Sequence, residues 1–260
     1  MLTQGKPAVA SGLMQSVTHG LTPRPPRAVV YGTQGVGKST FAASAPDPVF
    51  IQVEDGLGQI DTAKFPLARS VKEVIDQLTA VRDEPHNFQT LVIDSLDWLE
   101  RLIWDKVCKD WSVNSIEKVD KGYGKGYVYA LTEWRQIVSL LDEIRDRRSM
   151  MILCLAHAKT EKFEDPEQGI YDRWSPRLHK SANALFYDWA DMILFASSQF
   201  TVTDKGKAQA VGVNGGKRVL RAIGGPAVIA KNRYDMPMEL PLVKPNGWKV
   251  VSDAIFKDKE

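Results

Sequence analysis

The residues from Gly32 to Thr40 have the types and the spacing that a phosphate-binding loop requires. The run is a glycine, four residues, a second glycine, a lysine and a serine, which is the loop pattern of nucleoside triphosphatases. The glycines let backbone N–H groups converge on phosphate oxygens, the lysine supplies a positive charge, and the serine hydroxyl can bind Mg²⁺. The predicted nucleotide-binding residues are therefore Gly32, Thr33, Gln34, Gly35, Val36, Gly37, Lys38, Ser39 and Thr40.

The chain on either side of this loop supports the interpretation. Ala28 to Tyr31 form a β-branched and aromatic run that is typical of a buried strand, and residues 39–45 predict a helix that Pro46 ends. A strand before the loop and a helix after it are the setting that the motif needs. We therefore expect the chain to bind a nucleoside triphosphate, with ATP and Mg²⁺ as the ligands.

Three later strands are predicted to end in side chains that could act on a bound nucleotide. Glu54 follows an apolar run and is a candidate general base for the attacking water. Asp94 ends a second run and would hold Mg²⁺ opposite Ser39. His157 ends a third run and is a candidate sensor of the γ-phosphate. Because ligands of open parallel sheets bind at the carboxyl ends of the strands, these side chains are expected to meet there.

The remaining apolar patterns predict an α/β fold with a mainly parallel sheet flanked by helices. Apolar residues recur at helical spacing over 71–81, 99–107 and 131–144, which predicts helices there. Apolar runs predict strands over 49–53, 90–93, 150–156 and 189–195. After Gln199 the period becomes two, which predicts C-terminal antiparallel strands that include 217–223 and 227–230. We divide the chain into a flexible N-terminal arm (1–26), a nucleotide-binding core (27–240) and a C-terminal tail (241–260).

Length and composition favour one soluble domain. The 260 residues are 43% apolar, which is enough for a large core, and the net charge of +2 indicates no overall preference for nucleic acid. The two cysteines stand outside any metal-type spacing, which favours a reduced, cytoplasmic setting. No apolar run approaches the roughly 20 residues that span a bilayer, and a signal-peptide pattern is lacking, so no membrane association is expected.

Two stretches combine basic and aromatic residues in a way that suits single-stranded DNA. In residues 111–129 glycines alternate with lysines and tyrosines, and residues 158–183 are predicted to form a polar, mobile loop. Basic side chains contact backbone phosphates, and aromatic rings stack on bases. The candidate DNA contacts are Lys118, Lys121, Tyr123, Lys125, Lys159, Lys162, Arg173, Arg177 and Lys180. Each stretch alone fits a solvated surface loop about equally well.

The order of these parts resembles the RecA-like ATPase core. More closely, the segments 156–159, 171–173, 178–180 and 230–234 resemble a group of phage-encoded RecA-like ATPases that assist single-strand annealing and recombination. The resemblance covers approximately residues 28–240. It implies that Glu54 activates water, that Asp94 is the second acidic motif, and that His157 is the polar sensor that opens a DNA-binding loop.

The same resemblance implies partners. Lys231 and Arg233 resemble an element that related hexameric helicases insert into a neighbour's nucleotide site, so a homo-oligomer with the nucleotide at the subunit interface is expected. Single-stranded DNA is the expected ligand, and a single-strand-binding protein is a compatible further partner. For a phage-encoded protein the expected compartment is the host cytoplasm.

Three functional hypotheses follow from these patterns. The leading hypothesis is a DNA-dependent ATPase that binds single-stranded DNA and promotes annealing or pairing. The second is a helicase or helicase-loading ATPase that acts in DNA replication. The third is an ATP-switched interaction protein that does not bind DNA.

Overall fold

The computed structural model describes residues 14–20, 22–167, 169–202, 208–210 and 217–256. Residues 1–13 and 21, which make up most of the predicted arm, lie outside the described residues. Parts of the predicted C-terminal strand region also lie outside them. None of the helices in the described ranges is long and apolar enough to cross a membrane.

The strands that surround the phosphate loop form the centre of one sheet. In chain order the strands are β1 (Arg27–Gly32), β2 (Pro48–Gln52), β3 (Ala63–Lys64), β4 (Thr90–Asp94), β5 (Met151–Asp165), β6 (Gly169–Pro176), β7 (Met192–Ser198), β8 (Phe200–Val202), β9 (Ala208–Ala210), β10 (Arg218–Arg221), β11 (Lys231–Asn232) and β12 (Glu239–Pro241). The order across the sheet is β12-β10-β7-β1-β5-β4-β2-β3. Strands from β7 to β3 are parallel, whereas β10 and β12 are antiparallel additions, as the sequence predicted.

Helices cover both faces of this sheet. They are α1 (Lys38–Ala43), α2 (Val71–Asp83), α3 (Leu96–Asp110), α4 (Lys125–Arg148), α5 (Lys180–Trp189) and α6 (Gly247–Phe256). Side chains of β1 alternate between the two faces, so Val29 and Tyr31 join one core and Val30 joins the other. The first core includes residues of α2 to α5, and the second includes Phe41 of α1 and Trp248 of α6, so the predicted tail contains a packed helix.

The prediction of a loop over 158–183 is wrong. Strand β5 continues to Asp165, turns, and pairs with β6 in an antiparallel hairpin, after which α5 begins at Lys180. Exposed and half-buried residues alternate along this part of β5. Charged residues occupy both faces of the hairpin and interrupt the apolar alternation of a strand, which is why the segment resembles a solvated loop in sequence.

Residues 111–129, which by composition also fit a surface loop, contain regular structure. Residues Ile116–Lys121 form short 3₁₀ turns, and α4 begins at Lys125. Gly122 and Gly124 have φ values of +94° and +74°, so they shape a tight turn before α4. The glycines therefore specify a defined conformation.

Two predicted strands near the C-terminal half are shifted. Trp189 is the last residue of α5, so the strand predicted over 189–195 begins at Met192 instead. The strand predicted over 227–230 is represented only by isolated bridges at Val228, and pairing resumes at Lys231. Both segments are apolar, and tertiary packing decides their conformation.

Asp191, just before β7, anchors the amino-terminal edge of the sheet. Its carboxylate accepts hydrogen bonds from the backbone N–H, Nε and Nη2 of Arg27, and it pairs with Arg145 and Arg233. Burial raises the pKa of Asp191, but the hydrogen bonds and charge of Arg27 outweigh burial and hold it below the ordinary value. Asp191 is thus the centre of a largely buried ion cluster.

Replacing Asp191 with alanine should therefore leave the buried Arg145 without its counter-ion and Arg27 with Asp142 alone. We expect Asp191→Ala to lower the free energy of unfolding by about 3 kcal/mol or more. The matched control is Asp146→Ala, because Asp146 pairs with Arg24 on the surface, and its loss should cost less than about 1 kcal/mol. Urea unfolding followed by circular dichroism measures both values, and equal losses would contradict the assignment.

Glu100 of α3 joins that helix to α5. Both carboxylate oxygens accept from the backbone N–H of His179, at 3.1 and 2.9 Å. Burial raises the pKa of Glu100 to about 7, even though the His179 hydrogen bond and the Lys159 charge oppose the shift. The folded state therefore retains a proton on Glu100 at pH values where the unfolded chain has lost it.

This shift predicts a pH-dependent stability. Because the folded-state pKa lies above the unfolded value, the stability that depends on protonated Glu100 is present at low pH and is lost as the pH rises through about 7. Relative to Glu100→Gln, the wild-type free energy of unfolding should fall on the order of 3 kcal/mol between pH 4.5 and pH 8. Urea unfolding across this range tests it. Glu164→Gln, at an exposed site on β5, is the control and should parallel the wild type.

Candidate nucleotide site

The loop between β1 and α1 has the backbone that the motif requires. Gly37 is the N-cap of α1 and has a φ of +106°, in a region that side chains rarely adopt. Gly32 lies so close to β7 that a Cβ there would stand 2.2 Å from the carbonyl oxygen of Ala196. These two glycines therefore permit the turn of the loop and its approach to the neighbouring strand.

Lys38 is buried within this loop. Its Nζ donates to the carbonyl oxygens of Gly32 and Thr33, at 3.1 and 3.0 Å. Burial lowers the pKa of the ammonium group, and the carboxylates of Asp94, Asp97 and Glu54 oppose that shift. The loop thus holds a positive charge close to three carboxylates.

Ser39 and Asp94 meet across the sheet edge, as the sequence predicted. The Ser39 hydroxyl donates to Oδ2 of Asp94 at 2.7 Å. Burial raises the pKa of Asp94, the Ser39 hydrogen bond opposes the shift, and the Glu54 charge adds to it. A hydroxyl and a carboxylate in contact are oxygen donors of the kind that Mg²⁺ prefers, so the residues fit this ion.

Glu54 and His157 lie together at the same edge. The Ser95 hydroxyl donates to Oε2 of Glu54 at 3.3 Å, and Nδ1 of His157 lies 3.8 Å from that oxygen. The cluster beside the loop therefore consists of Glu54 just after β2, Asp94 at the end of β4 and His157 within β5. Their predicted roles in hydrolysis remain predictions.

Asp97, in the first turn of α3, is a site residue that the sequence reasoning missed. Its carboxylate accepts from the backbone N–H of His157 at 3.0 Å, lies 3.1 Å from Nδ1 of His157, and accepts from Nε of Arg177 at 3.1 Å. Burial raises the pKa of Asp97, but hydrogen bonds from His157 and Arg177 outweigh it and leave the pKa well below the ordinary value. The only sequence signal is its position three residues after Asp94.

The cluster opens into a cleft of about 300 Å³. Residues of the loop line it together with Glu54, Asp94 and His157. Arg218 and Lys244 also line this cleft, although the sequence did not associate either residue with the nucleotide. Antiparallel pairing of β10 with β7 brings Arg218 there, and such long-range pairing has no local sequence signal.

A larger cleft of about 710 Å³ lies away from the phosphate loop, between the β5–β6 hairpin and α5. It is lined by Glu161, Arg173, Lys180 and Tyr187, and by the segment 224–230 in part. Two predicted DNA contacts, Arg173 and Lys180, are among these residues. The carboxylate of Glu161 pairs with Arg173 at 3.1 Å and reduces its free charge.

The structure separates Lys231 and Arg233 from the phosphate loop of their own chain. Strand β11 pairs with the beginning of β7, whereas the loop lies beside the end of β7. Nζ of Lys231 donates to the carbonyl oxygen of Tyr187 at 2.6 Å, and Arg233 donates to Asp191 at 3.3 Å. Any action on a nucleotide would therefore involve a neighbouring copy.

The predicted DNA contacts fall into two groups. Five of them already have partners within the chain: Lys118 with Asn114, Lys125 with Asp120, Lys159 with the Leu178 carbonyl, Arg173 with Glu161, and Arg177 with Asp97. Within the described ranges, Lys121, Lys162 and Lys180 are exposed and have no hydrogen-bond or ion-pair partner, and Tyr123 is 98% exposed. The second group is the better placed for an external phosphate or base.

Comparison with known proteins identifies the family. A family model described as AAA domain matches residues 24–234. The SPbeta prophage-derived uncharacterized protein YorG of Bacillus subtilis (strain 168) is 25% identical over 180 residues, which is 68% of this chain and 52% of YorG. The chain therefore spans about half the length of this curated relative.

Two solved structures are distantly similar. The RadB recombinase has a TM-score of 0.48 at 12% identity, over 86% of this chain and 90% of RadB. The flagellar accessory protein FlaH from Methanocaldococcus jannaschii has a TM-score of 0.43 at 11% identity, over 86% of this chain and 88% of FlaH.

The family match covers the phosphate loop, Glu54, Asp94, His157 and β11. The resemblance described in the sequence analysis depends on these parts. Together with the prophage-derived relative, the family match confirms that resemblance. Family membership implies a nucleotide as ligand and, typically, Mg²⁺. The chain belongs to the AAA domain family, and its mainly parallel sheet flanked by helices is the α/β architecture that the sequence predicted.

Proposed function

We propose that the chain is a DNA-dependent ATPase that binds single-stranded DNA and promotes annealing or pairing in phage-type homologous recombination. The observation that carries the ATPase part is the convergence of Lys38, Ser39, Asp94 and Glu54 on one cleft. Phosphate binding, a metal-ion site and a candidate base are all needed for phosphoryl transfer to water. The residues to which we assign these functions lie at a single edge of the sheet.

Each residue has a distinct role in the proposed reaction. Lys38, which now donates to carbonyls of its own loop, would donate to phosphate oxygens of ATP. Ser39 and Asp94 would hold Mg²⁺, which supplies charge neutralisation on the phosphate oxygens. Glu54 would accept a proton from the attacking water, and its contact with Ser95 orients the carboxylate.

A second copy of the chain would complete the site. Lys231 or Arg233 of the neighbour would neutralise charge that develops on the γ-phosphoryl oxygens, a contribution of about 10³-fold or more in rate. The position of both residues, remote from their own loop, is compatible with action on another copy. The Arg233 side chain is 52% exposed, although it pairs with Asp191.

A chain of contacts could couple the nucleotide to the DNA-binding surfaces. Asp97 connects His157 to Arg177 at the base of the hairpin. Two residues further on, the ring of His179 stacks on Tyr127 at 4.1 Å, next to the start of α4. A change at His157 would therefore reach both stretches that carry candidate DNA contacts.

The proposal predicts hydrolysis that depends on Glu54 and on assembly. Glu54→Gln should lower kcat by roughly 10²–10⁴-fold with little effect on ATP binding, because the substitution removes the general base but keeps the size and shape of the side chain. Lys38→Ala should abolish binding. The control is Asp253→Asn, an exposed change on α6. Phosphate release is measured against protein concentration with and without single-stranded DNA.

A wild-type rate per subunit that ignores both concentration and DNA would contradict the proposed assembly and DNA dependence. A strand-displacement assay on a forked duplex distinguishes a helicase from an annealing protein.

DNA binding should depend on the unpaired lysines. The double variant Lys121→Ala/Lys162→Ala should reduce the slope of log affinity against log salt for single-stranded DNA by roughly 1.4, at about 0.7 per charge. Filter binding from low to moderate salt measures the slope. The control Lys72→Ala/Lys249→Ala removes two charges that pair with carboxylates on α2 and α6, and its slope should not change.

If the wild type has no salt-dependent affinity for DNA, the recombination function fails. An ATP-switched interaction protein would then be the better interpretation.

A further inference from the structure

Arg218 lies directly beside the phosphate loop of its own chain. It is the first residue of β10 and pairs with Ser198, two residues beyond the Ala196 that pairs with Gly32. Its Nη1 stands 3.3 Å from the position that a Cβ on Gly37 would occupy. The antiparallel direction of β10 thus delivers a guanidinium group to the edge of the sheet where the loop begins.

The guanidinium of Arg218 has no partner within the described part of the chain. Four other arginines are paired: Arg221 with Glu239, Arg173 with Glu161, Arg177 with Asp97 and Arg233 with Asp191. Arg218 is half-buried and makes neither an ion pair nor a side-chain hydrogen bond there. Its planar set of donors matches phosphate oxygens in geometry and charge.

The order of strands indicates which phosphates Arg218 can reach. On one side of β1, in the order β5, β4 and β2, lie His157 within β5, Asp94 at the end of β4, and Glu54 just after β2. Arg218 comes from the other side, through β10 and β7. Since the candidate base must face the terminal phosphate that is attacked, the opposite side of the loop faces the phosphates nearer the nucleoside.

We infer that Arg218 binds the α- and β-phosphates of the nucleotide held by its own chain, and that it sets affinity for ATP and ADP alike. The inference rests on the proposed nucleotide site and assigns Arg218 a role separate from the neighbour's Lys231 and Arg233. An interaction with phosphates that are retained in both substrate and product stabilises ground state and transition state equally. Its loss therefore raises KM and leaves kcat nearly unchanged.

The test compares Arg218→Ala and Arg218→Lys with Lys217→Ala. Lys217 is exposed and precedes Arg218, so its replacement removes the same charge from the neighbouring position. Fluorescent ADP and a fluorescent, slowly hydrolysed ATP analogue are titrated with Mg²⁺ into each variant. Arg218→Ala should weaken both nucleotides by about 10-fold or more, the loss expected for a hydrogen bond to a charged group. Arg218→Lys should lose less, and Lys217→Ala less than about twofold.

Three results would overturn the inference. Arg218→Ala could bind both nucleotides as the wild type does, it could lose affinity for the ATP analogue alone, or Lys217→Ala could lose as much affinity as Arg218→Ala. If Arg218→Ala does not fold, as judged by circular dichroism, Arg218→Lys decides, and unchanged ADP affinity in it overturns the role.

Two further measurements separate this inference from the proposed function. Lys38→Ala reports on the loop itself, and if that variant binds nucleotide as the wild type does, the proposed site fails whatever Arg218 does. Mixing Arg218→Ala with Lys38→Ala protein tests action within one chain. Nucleotide affinity should stay low in the mixture, because neither variant can supply a complete phosphate site, and recovery would show that Arg218 acts across copies.

Discussion

The parallel register of the central strands is the constraint on which the site depends. Hydrogen bonding of β1 to β5 sets Gly32 opposite His157, and bonding of β4 to β2 sets Asp94 opposite Gln52. Parallel strands that are buried on both faces have no freedom to slip, because a shift by one residue would move every side chain to the other face. The same register that builds the core therefore aligns the loop, the candidate base and the candidate metal ligands without any further device.

That alignment brings several charges into a poorly solvated edge. Lys38, Asp94, Asp97 and Glu100 are each less than a tenth exposed, and an isolated buried charge would be costly. Lys38 is held by two carbonyls, and Asp97 by His157 and Arg177, whereas Asp94 accepts from the Ser39 hydroxyl and lies near both the like charge of Glu54 and the opposite charge of Lys38. Burial still raises the pKa of Asp94, so an added cation would stabilise its charged form. This supports Mg²⁺ as a ligand on electrostatic grounds that are independent of the motif.

Local patterns predicted the parts of the molecule whose signals are local. The loop motif, the continuous apolar strands and the amphipathic helices were found because their side-chain types and periods are determined by burial and by the backbone. The β5–β6 hairpin was missed because both of its faces carry polar residues. Trp189 was assigned to a strand because an apolar residue at a helix end looks the same as one at a strand start. Asp97 and Arg218 were missed because their positions depend on contacts with His157 and with the loop at long sequence separation.

Strand β7 pairs with two strands that each carry a basic residue relevant to the proposals. Its end pairs with β10, which carries Arg218 toward the loop, and its beginning pairs with β11, which carries Lys231 at the opposite edge of the sheet. In the proposals above, Arg218 at the loop serves the nucleotide of its own chain, whereas Lys231 at the far edge serves that of another copy. If the copies assemble with one nucleotide between each pair, every chain would contribute affinity to its own site and charge neutralisation to the next. Nucleotide binding would then need one chain, whereas rapid hydrolysis would need two. The residues for these two steps would be carried by strands that pair with opposite ends of β7.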